Sequence, residues 1–404
     1  MVKVAVLGYG TVGSGVVEVL KTNAELIKDR VGEAVEVAYV LDKKEFPGDP
    51  IEKIVTHDLE EIMNDEEVKI VVEVMGGVEP AFTFVKRALE AGKHVTTSNK
   101  ALVAKHGAEL LKIAKENKVN FLFEASVGGG IPILRALHES LTGDRIDKIV
   151  GILNGTTNYM MTKMFYEGAD YDAVLKEAQD NGFAERNPEA DVEGYDACRK
   201  IAILASIISG KRAEFEEIHC EGITKITVDD MKYAKELGMA IKLLATCKRE
   251  GEDKFSAIVC PCLLNKTHPL FNVDGVFNSV FVQGNMLGDS MFYGSGAGKL
   301  PTASAVVGDI VELAKNLEKD LGFWWNDDKL ELADKGEVAH RFFVRVKDTD
   351  KAKVAADFSN AKIVEVEGLA DEFGFVTEKM EEKVYDEKIK AYEGKVIGMI
   401  RVEE

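Results

Sequence analysis

Residues 2–13 read VKVAVLGYGTVG, and this stretch decides the fold. Val2 to Leu7 form an apolar run suited to a buried strand, and it leads straight into Gly8-Tyr9-Gly10-Thr11-Val12-Gly13. Val16, Val17, Val19 and Leu20 then follow in a helical pattern. The result is G-x-G-x-x-G with a strand before it and a helix after it. In that setting the glycines let the backbone approach a pyrophosphate, which sits on the helix N-terminus. A strand-to-helix turn that binds nothing is the plain alternative. The context favours a dinucleotide site held by Gly8, Gly10, Thr11, Val12 and Gly13.

Outward from this point, strands and helices alternate. A helical insert (Asn23 to Gly32) precedes the strand Val35 to Leu41, which ends at Asp42. An acid there accepts hydrogen bonds from the ribose hydroxyls of NAD and repels a 2′-phosphate. Lys43 and Lys44 follow at once and could hold that phosphate, so both NAD and NADP stay open, with the acid leaning toward NAD. Further strands are expected at Ile70–Met75, ending in Gly76-Gly77, at His94–Thr97 and at Val119–Phe123, with helices at Glu79–Ala91 and Lys100–Asn117. Such alternation predicts an α/β fold with a Rossmann-type, doubly wound parallel sheet, whose ligands bind at the C-terminal strand ends. Ser98-Asn99-Lys100 and Glu124 to Ile131 are polar or glycine-rich loops at such ends. Lys100 opens a helix, a poor place for a cation beside the helix dipole, which hints at a functional use.

From about residue 132 the pattern changes. Asp144 to Leu153 reads as a strand, and Asn154-Gly155-Thr156-Thr157-Asn158 as a turn that caps a helix whose Met160, Met161, Met164 and Phe165 are core residues. More β-like runs lie at Ile218–Ile226, Phe255–Leu264 and Val276–Gln283. Segregated strands and helices suggest an α+β domain whose open sheet could pair with another subunit. Within it, residues 182–208 join an acidic loop (Glu185, Glu189, Asp191, Glu193) to an apolar helix with Asp196 and Lys200 four apart on one face. A lysine on an apolar helix beside a carboxylate can hold or release a proton, as a reaction at an alcohol or aldehyde oxygen requires. An ordinary helix ion pair is the competing reading of that spacing.

Gly294 to Lys299 opens a helix, Thr302 to Leu317, but lacks a full phosphate-loop pattern, and is read as the chain returning to the cofactor cleft. Residues 340–404 read strand, helix, strands, helix, strand, a small α/β module of their own. The expected division is a nucleotide-binding domain at 1–130 completed by 300–322, a catalytic and dimerisation domain at 131–299, and a C-terminal module at 336–404.

Bulk properties exclude other classes. With 51 basic against 70 acidic residues, the net charge of −19 offers nothing to neutralise phosphates, so no nucleic-acid partner is expected. No apolar run approaches a membrane span, and MVKVAVLGYG reads as a strand rather than a signal peptide. Five scattered cysteines suit free thiols in a cytoplasmic protein. Cys260-Pro261-Cys262 has no second pair of ligands near it in sequence, which argues against a metal there.

The blocks GYGTVG, VVEVMGG, TSNKALVA, EASVGGGIPI, GILNGTTNYMMTKM, GFAERNPEADVEGYDACRKIAILA and GSGAGKLPTASAVVGDI resemble the homoserine dehydrogenase family, over essentially the first 320 residues. The resemblance implies NAD(P)-dependent interconversion of L-homoserine and L-aspartate 4-semialdehyde, on the route to threonine and methionine, by a homodimer or homotetramer. By motif it implies Lys200 as the acid–base lysine, Asp196 as the carboxylate that orients it, and Lys100 near nicotinamide and substrate hydroxyl. Glu185, with Asp191 beside it, would bind the substrate amino group. Gly76, Ser98 and Gly298 join the cofactor-binding set. Glu124, Val127, Gly129 and Ile131 would offer mainly backbone oxygens to a monovalent cation, sodium or potassium. The C-terminal module resembles an ACT-type regulatory domain, but Lys347-Asp348-Thr349-Asp350 stands where such domains have an aspartate-proline-glycine turn, so it is read as serving regulation or only assembly. A phosphorylating aldehyde dehydrogenase would need a cysteine nucleophile where this chain has Ala125-Ser126-Val127-Gly128. A non-catalytic nucleotide- and amino-acid-sensing protein is the reading from a different class, against which Glu185, Asp196, Lys200 and Lys100 stand.

Overall fold

A computed structural model describes residues 1–322 and 324–404, and the chain divides into two compact units. The first comprises residues 1–145, 202–214 and 292–330; the second comprises 146–201, 215–291 and 331–404.

The first unit opens with β1 (Val2–Leu7), α1 (Thr11–Thr22), α2 (Ala24–Val31), β2 (Val35–Leu41), β3 (Val55–Thr56) and α3 (Leu59–Asn64). It continues with β4 (Val68–Glu73), α4 (Ala81–Glu90), β5 (His94–Thr97), α5 (Lys100–Glu116) and β6 (Phe121–Leu122), and the chain returns later with α11 (Lys299–Lys315). The six strands are parallel, in the order β3-β2-β1-β4-β5-β6. This is the dinucleotide-fold order, in which the chain reverses direction across the sheet beside β1. β1 is central, so Val4, Ala5, Val6 and Leu7 are wholly buried. A strand covered on both faces needs a continuous apolar run rather than an alternating one, and VKVAVL supplies it. Each buried valine or leucine here contributes roughly 1.5–3 kcal/mol by leaving water.

The short β3 and α3 were not expected from the sequence. The third expected strand runs Val68–Glu73 rather than 70–75, and the last pairs only over Phe121–Leu122. The final helix of this unit starts at Lys299, immediately after Gly298, not at Thr302.

The second unit contains β7 (Ile146–Ile152), α6 (Gly155–Glu167), α7 (Tyr171–Asp180), α8 (Glu189–Val192), α9 (Tyr195–Ser209), β8 (His219–Cys220), α10 (Val228–Leu237) and β9 (Met239–Arg249). Then come β10 (Phe255–Asn265), β11 (Phe277–Gly284) and β12 (Gly288–Ser295), followed by β13 (Ala339–Lys347), α12 (Lys351–Asp357), β14 (Lys362–Val364), β15 (Glu372–Val376), β16 (Met380–Glu381), α13 (Glu382–Ile389) and β17 (Val396–Glu403). Both α9 and β12 run on from one unit's residues into the other's. One sheet of eleven strands carries the path β12-β11-β7-β9-β10-β17-β13-β15-β14, with β8 on β10 and β16 on β13. Its core gathers Val150, Ile152, Leu244, Cys260, Cys262, Leu264 and Phe281.

The β-like run at 218–226 pairs only at His219–Cys220, because the chain then turns at Gly222 against α8. A Cβ at Gly222 would stand 2.1 Å from the Val192 carbonyl oxygen, so only glycine permits this approach. Strand β9 was missed from the sequence: MAIKLLATCKR follows α10 after Gly238 and lacks clean alternation, because most of it is buried on both faces.

Residues 340–404 have the expected strand–helix–strand–strand–helix–strand order and an aromatic core of their own, with Phe342, Phe358, Phe375, Tyr385 and Tyr392. They are joined to the rest of the unit by β17, which lies parallel to β10 with Cys262 opposite Arg401. The pairing is fixed by a buried guanidinium: Arg401 donates to both Glu382 and Glu221. The turn after β13 has no glycine, and Asp348 itself takes the left-handed conformation, φ 47°. Aspartate tolerates that region better than most side chains.

Candidate functional site

In the first unit, the glycine loop connects β1 to α1. Gly8 has φ 97°, and a Cβ at Gly13 would lie 1.9 Å from the Gly8 carbonyl oxygen. The turn is therefore closed so tightly that glycine is a steric requirement at positions 8 and 13, whereas a Cβ at Gly10 would meet nothing within 4 Å. Gly10 precedes α1 without a side-chain cap, and the first turn of that helix, which starts at Thr11 and Val12, holds no acid. Its N–H groups and dipole are left suited to an anion. At the end of β2, Asp42 accepts the Tyr9 N–H at 2.7 Å and the Lys44 N–H at 3.0 Å, which brings it against the glycine loop, while Lys43 and Lys44 are exposed.

At the ends of the next strands, Glu73 is buried. It accepts the N–H groups of Met75 and Gly76 with one oxygen and the Thr97 hydroxyl with the other. Burial raises its affinity for a proton against those hydrogen bonds. Gly76 follows with φ 82°. Ser98 is half-buried, and its N–H reaches the Glu73 carbonyl. Asn99 caps α5, of which Lys100 is the first residue.

The loop 124–131 is almost wholly buried. The Glu124 carboxylate accepts the N–H groups of Leu134 and Arg135, so it is turned onto its own chain. Burial, then the neighbouring Asp309, raises its proton affinity. Val127 and Gly129 have carbonyl oxygens that accept no hydrogen bond among the described residues, while the Ile131 carbonyl accepts the Ile133 N–H. The Ser126 hydroxyl is likewise buried without a partner among them. A Cβ on Gly129 would meet the Gly296 backbone at 2.5 Å, so this loop is packed against the glycine-rich segment that ends at Gly298, φ 114°. Unsatisfied buried carbonyl oxygens form a donor set that fits a hard cation. No group of three or more His, Cys, Asp or Glu side chains among the described residues could hold a metal ion.

The second unit contains the lysine. Gly194, φ 83°, turns α8 into α9, and Asp196 lies in the first turn of α9. Lys200 is 7% exposed and Asp196 3%. The Lys200 ammonium donates to Asp196 Oδ2 at 2.7 Å and to the Leu153 carbonyl oxygen at 2.6 Å. The ammonium is thus held between a carboxylate and a backbone carbonyl in a buried position. Depth in the unit distinguishes the pair from a surface ion pair, which would be worth little.

Asn154 follows Leu153. Its amide nitrogen donates to Asp191 Oδ1 at 2.7 Å and to Asp196 Oδ2 at 2.9 Å. Asp191, Asp196 and Lys200 are therefore gathered at the start of α6. Glu185 is exposed, and the contact its residue makes is through its carbonyl, which accepts from Gln179. Thr156 ties the same loop down by donating to the Phe183 carbonyl. Sequence reading missed Asn154 and the Leu153 carbonyl. The cap was legible, but the acids it holds stand 37 and 42 residues away.

Comparison with known proteins bears on both units. The family model described as homoserine dehydrogenase, NAD binding domain, matches residues 8–124, and that described as homoserine dehydrogenase matches residues 132–311. A homoserine dehydrogenase of Bacillus subtilis is 46% identical over 319 residues, covering 78% of this chain and 73% of the relative. A crystal structure of a homoserine dehydrogenase from Thiobacillus denitrificans superposes with a TM-score of 0.90 at 36% identity, covering 100% of this chain and 98% of that one. A hyperthermophilic archaeal homoserine dehydrogenase solved in complex with NADPH gives a TM-score of 0.66 at 29% identity, covering 77% of this chain and 97% of its own.

Proposed function

Because the chain belongs to the homoserine dehydrogenase family, whose NAD(P)-dependent reaction interconverts L-homoserine and L-aspartate 4-semialdehyde, we propose that Lys200 carries the hydroxyl proton and that Asp196 holds Lys200 in place. The observation that carries this assignment is the buried Lys200–Asp196 contact, anchored on the Leu153 carbonyl. In the oxidation, Lys200 takes the proton as the alcohol oxygen becomes a carbonyl oxygen; in the reduction it returns that proton. The dinucleotide, when bound, accepts or supplies the hydride. Asp191 and Glu185 suit the cationic amino group of the substrate, and Lys100 serves the hydroxyl end.

For the cofactor, the proposed set is Gly8, Gly10, Thr11, Val12, Gly13, Asp42, Gly76, Ser98, Lys100 and Gly298, within a domain at 1–130 completed by 300–322. The capless helix start and the closed glycine turn support it. Asp42 against the loop favours NAD over NADP. The Val127 and Gly129 carbonyls, with Glu124 and Ile131 beside them, are proposed to hold sodium or potassium. The partnerless carbonyls and the Ser126 hydroxyl support that reading.

Residues 131–299 are proposed as the catalytic and dimerisation domain, with 336–404 as an ACT-like module. Its sheet order β17-β13-β15-β14 is that of a βαββαβ unit, which supports the assignment. A homodimer or homotetramer is proposed through the edge strand β12, where Met291 and Tyr293 are exposed, with Met286 and Leu287 in the preceding turn.

One assay tests the reaction: L-homoserine with NAD or NADP at matched concentrations should produce the absorbance of reduced cofactor, faster with NAD. No turnover with either cofactor would end the proposal. Replacing sodium and potassium by choline should slow the reaction, adding threonine reports whether the module regulates it, and light scattering reads the oligomer.

A further inference from the structure

Resting on the acid–base reading of Lys200, we propose that Asn154 is a positioning residue of the reaction, the clamp that keeps Asp191 and Asp196 together and fixes how firmly Asp196 holds Lys200. Asn154 is 6% exposed. Its side-chain oxygen accepts the Thr157 N–H at 2.9 Å and lies 3.1 Å from the Thr157 hydroxyl. That contact sets the amide's direction, because the reverse orientation would put an amide N–H against the Thr157 N–H and a carbonyl oxygen against two carboxylates. The nitrogen, with two N–H groups, is thereby aimed at Asp191 Oδ1 and Asp196 Oδ2.

Two aspartates from successive helices, drawn to one point, repel each other. A neutral group with two donors bridges both carboxylates, and asparagine is the short side chain that supplies two donors and an acceptor at once. Asp196 Oδ2 receives both the amide of Asn154 and the ammonium of Lys200, at 2.9 and 2.7 Å. The amide therefore competes with the lysine for the electrons of one oxygen and weakens the hold of Asp196 on the proton. The residue before it, Leu153, supplies a second acceptor to Lys200 through its carbonyl oxygen. The start of α6 thus grips the lysine directly through Leu153 and indirectly through Asp196.

A helix cap alone needs only the side-chain oxygen, and serine or aspartate caps as well as asparagine. Two substitutions separate the roles. Asn154→Ser keeps a capping oxygen and removes the second donor; Asn154→Asp keeps the cap and replaces the donor with a third carboxylate. Asn154→Ser should melt within a few degrees of the unaltered protein and bind cofactor as before, whereas Asn154→Asp, which sets a third carboxylate beside two, should melt lower while still binding cofactor. In Asn154→Ser, kcat/KM for L-homoserine oxidation should fall about 10–100-fold, the loss of a hydrogen bond to charged groups. In Asn154→Asp the added anion keeps the proton on Lys200 to higher pH, so the acid limb of the kcat profile should move to higher pH. Lys200→Ala is measured alongside. Wild-type kcat, KM and pH profile in both Asn154 variants, with Lys200→Ala inactive, would overturn the clamp and leave the acid–base reading standing. Activity lost only in step with melting temperature would also overturn it, since Asn154 would then serve the fold alone. An active Lys200→Ala would remove the acid–base reading and the clamp with it.

Discussion

At the scale of single residues, the account rests on Gly13 in the first unit and Lys200 in the second, and both depend on a close approach. Gly13 must lack a side chain because the Gly8 carbonyl oxygen occupies the place where a Cβ would be. Gly13→Ala is expected to lower dinucleotide affinity at least about 100-fold, because the backbone that cradles the pyrophosphate has to move. Fluorescence titration with NAD measures it, and unchanged binding would show that the loop is only a turn. Lys200 and Asp196 were legible from sequence because a spacing of four places two side chains on one helix face. The spacing left open an acid–base pair or an ordinary helix ion pair, and burial sets this pair apart from a surface one. Asn154 was legible only as a cap, because its contacts join segments distant in sequence. The carboxylate of Glu124 is turned inward onto Leu134 and Arg135, a detail fixed by the path of the chain and invisible in EASVGGGI.

At the scale of elements, the central strands β1 and β4 of the first unit announced themselves as apolar runs closed by glycine or a polar turn, whereas the two-residue β3 did not. Strand β9 did not, since a buried strand without alternation that follows a helix reads as more helix. The alternation of strands and helices over residues 340–404 was legible, whereas their attachment through β17 rests on strand pairing across more than a hundred residues. That region also carries a pH sensor of stability. Burial, with repulsion from Arg401 and Lys379 outweighing attraction to Glu382 and Glu250, lowers the pKa of His340 on β13 to about 4. Folded, the imidazole stays neutral; unfolded, it protonates below its ordinary value of about 6.5. The unfolded chain therefore binds more protons between pH 6.5 and 4, and stability falls as pH drops through that window. His340→Gln should flatten this decline in urea melts taken between pH 7 and 4. An unaltered slope would mean that His340 is solvated.

At the scale of the whole molecule, the chain is an oxidoreductase of the homoserine dehydrogenase family built from a parallel dinucleotide-binding sheet and a second sheet that runs on into the C-terminal strands. The net charge of −19 argues against a nucleic-acid partner, and no helix among the described residues is long and apolar enough to cross a membrane. The fold class could be read from the alternation of elements alone. The extent of the second sheet could not, because length of sheet is a property of pairings, and pairings are set by side chains that meet only after folding. The proton transfer proposed for Lys200 is tested most directly by single-turnover oxidation of L-homoserine by Lys200→Ala with cofactor saturating. The rate should fall about 100- to 10,000-fold, the range for loss of a positioned acid–base group, while NAD affinity stays within twofold. A rate within a factor of three of the unaltered enzyme would contradict the assignment of Lys200.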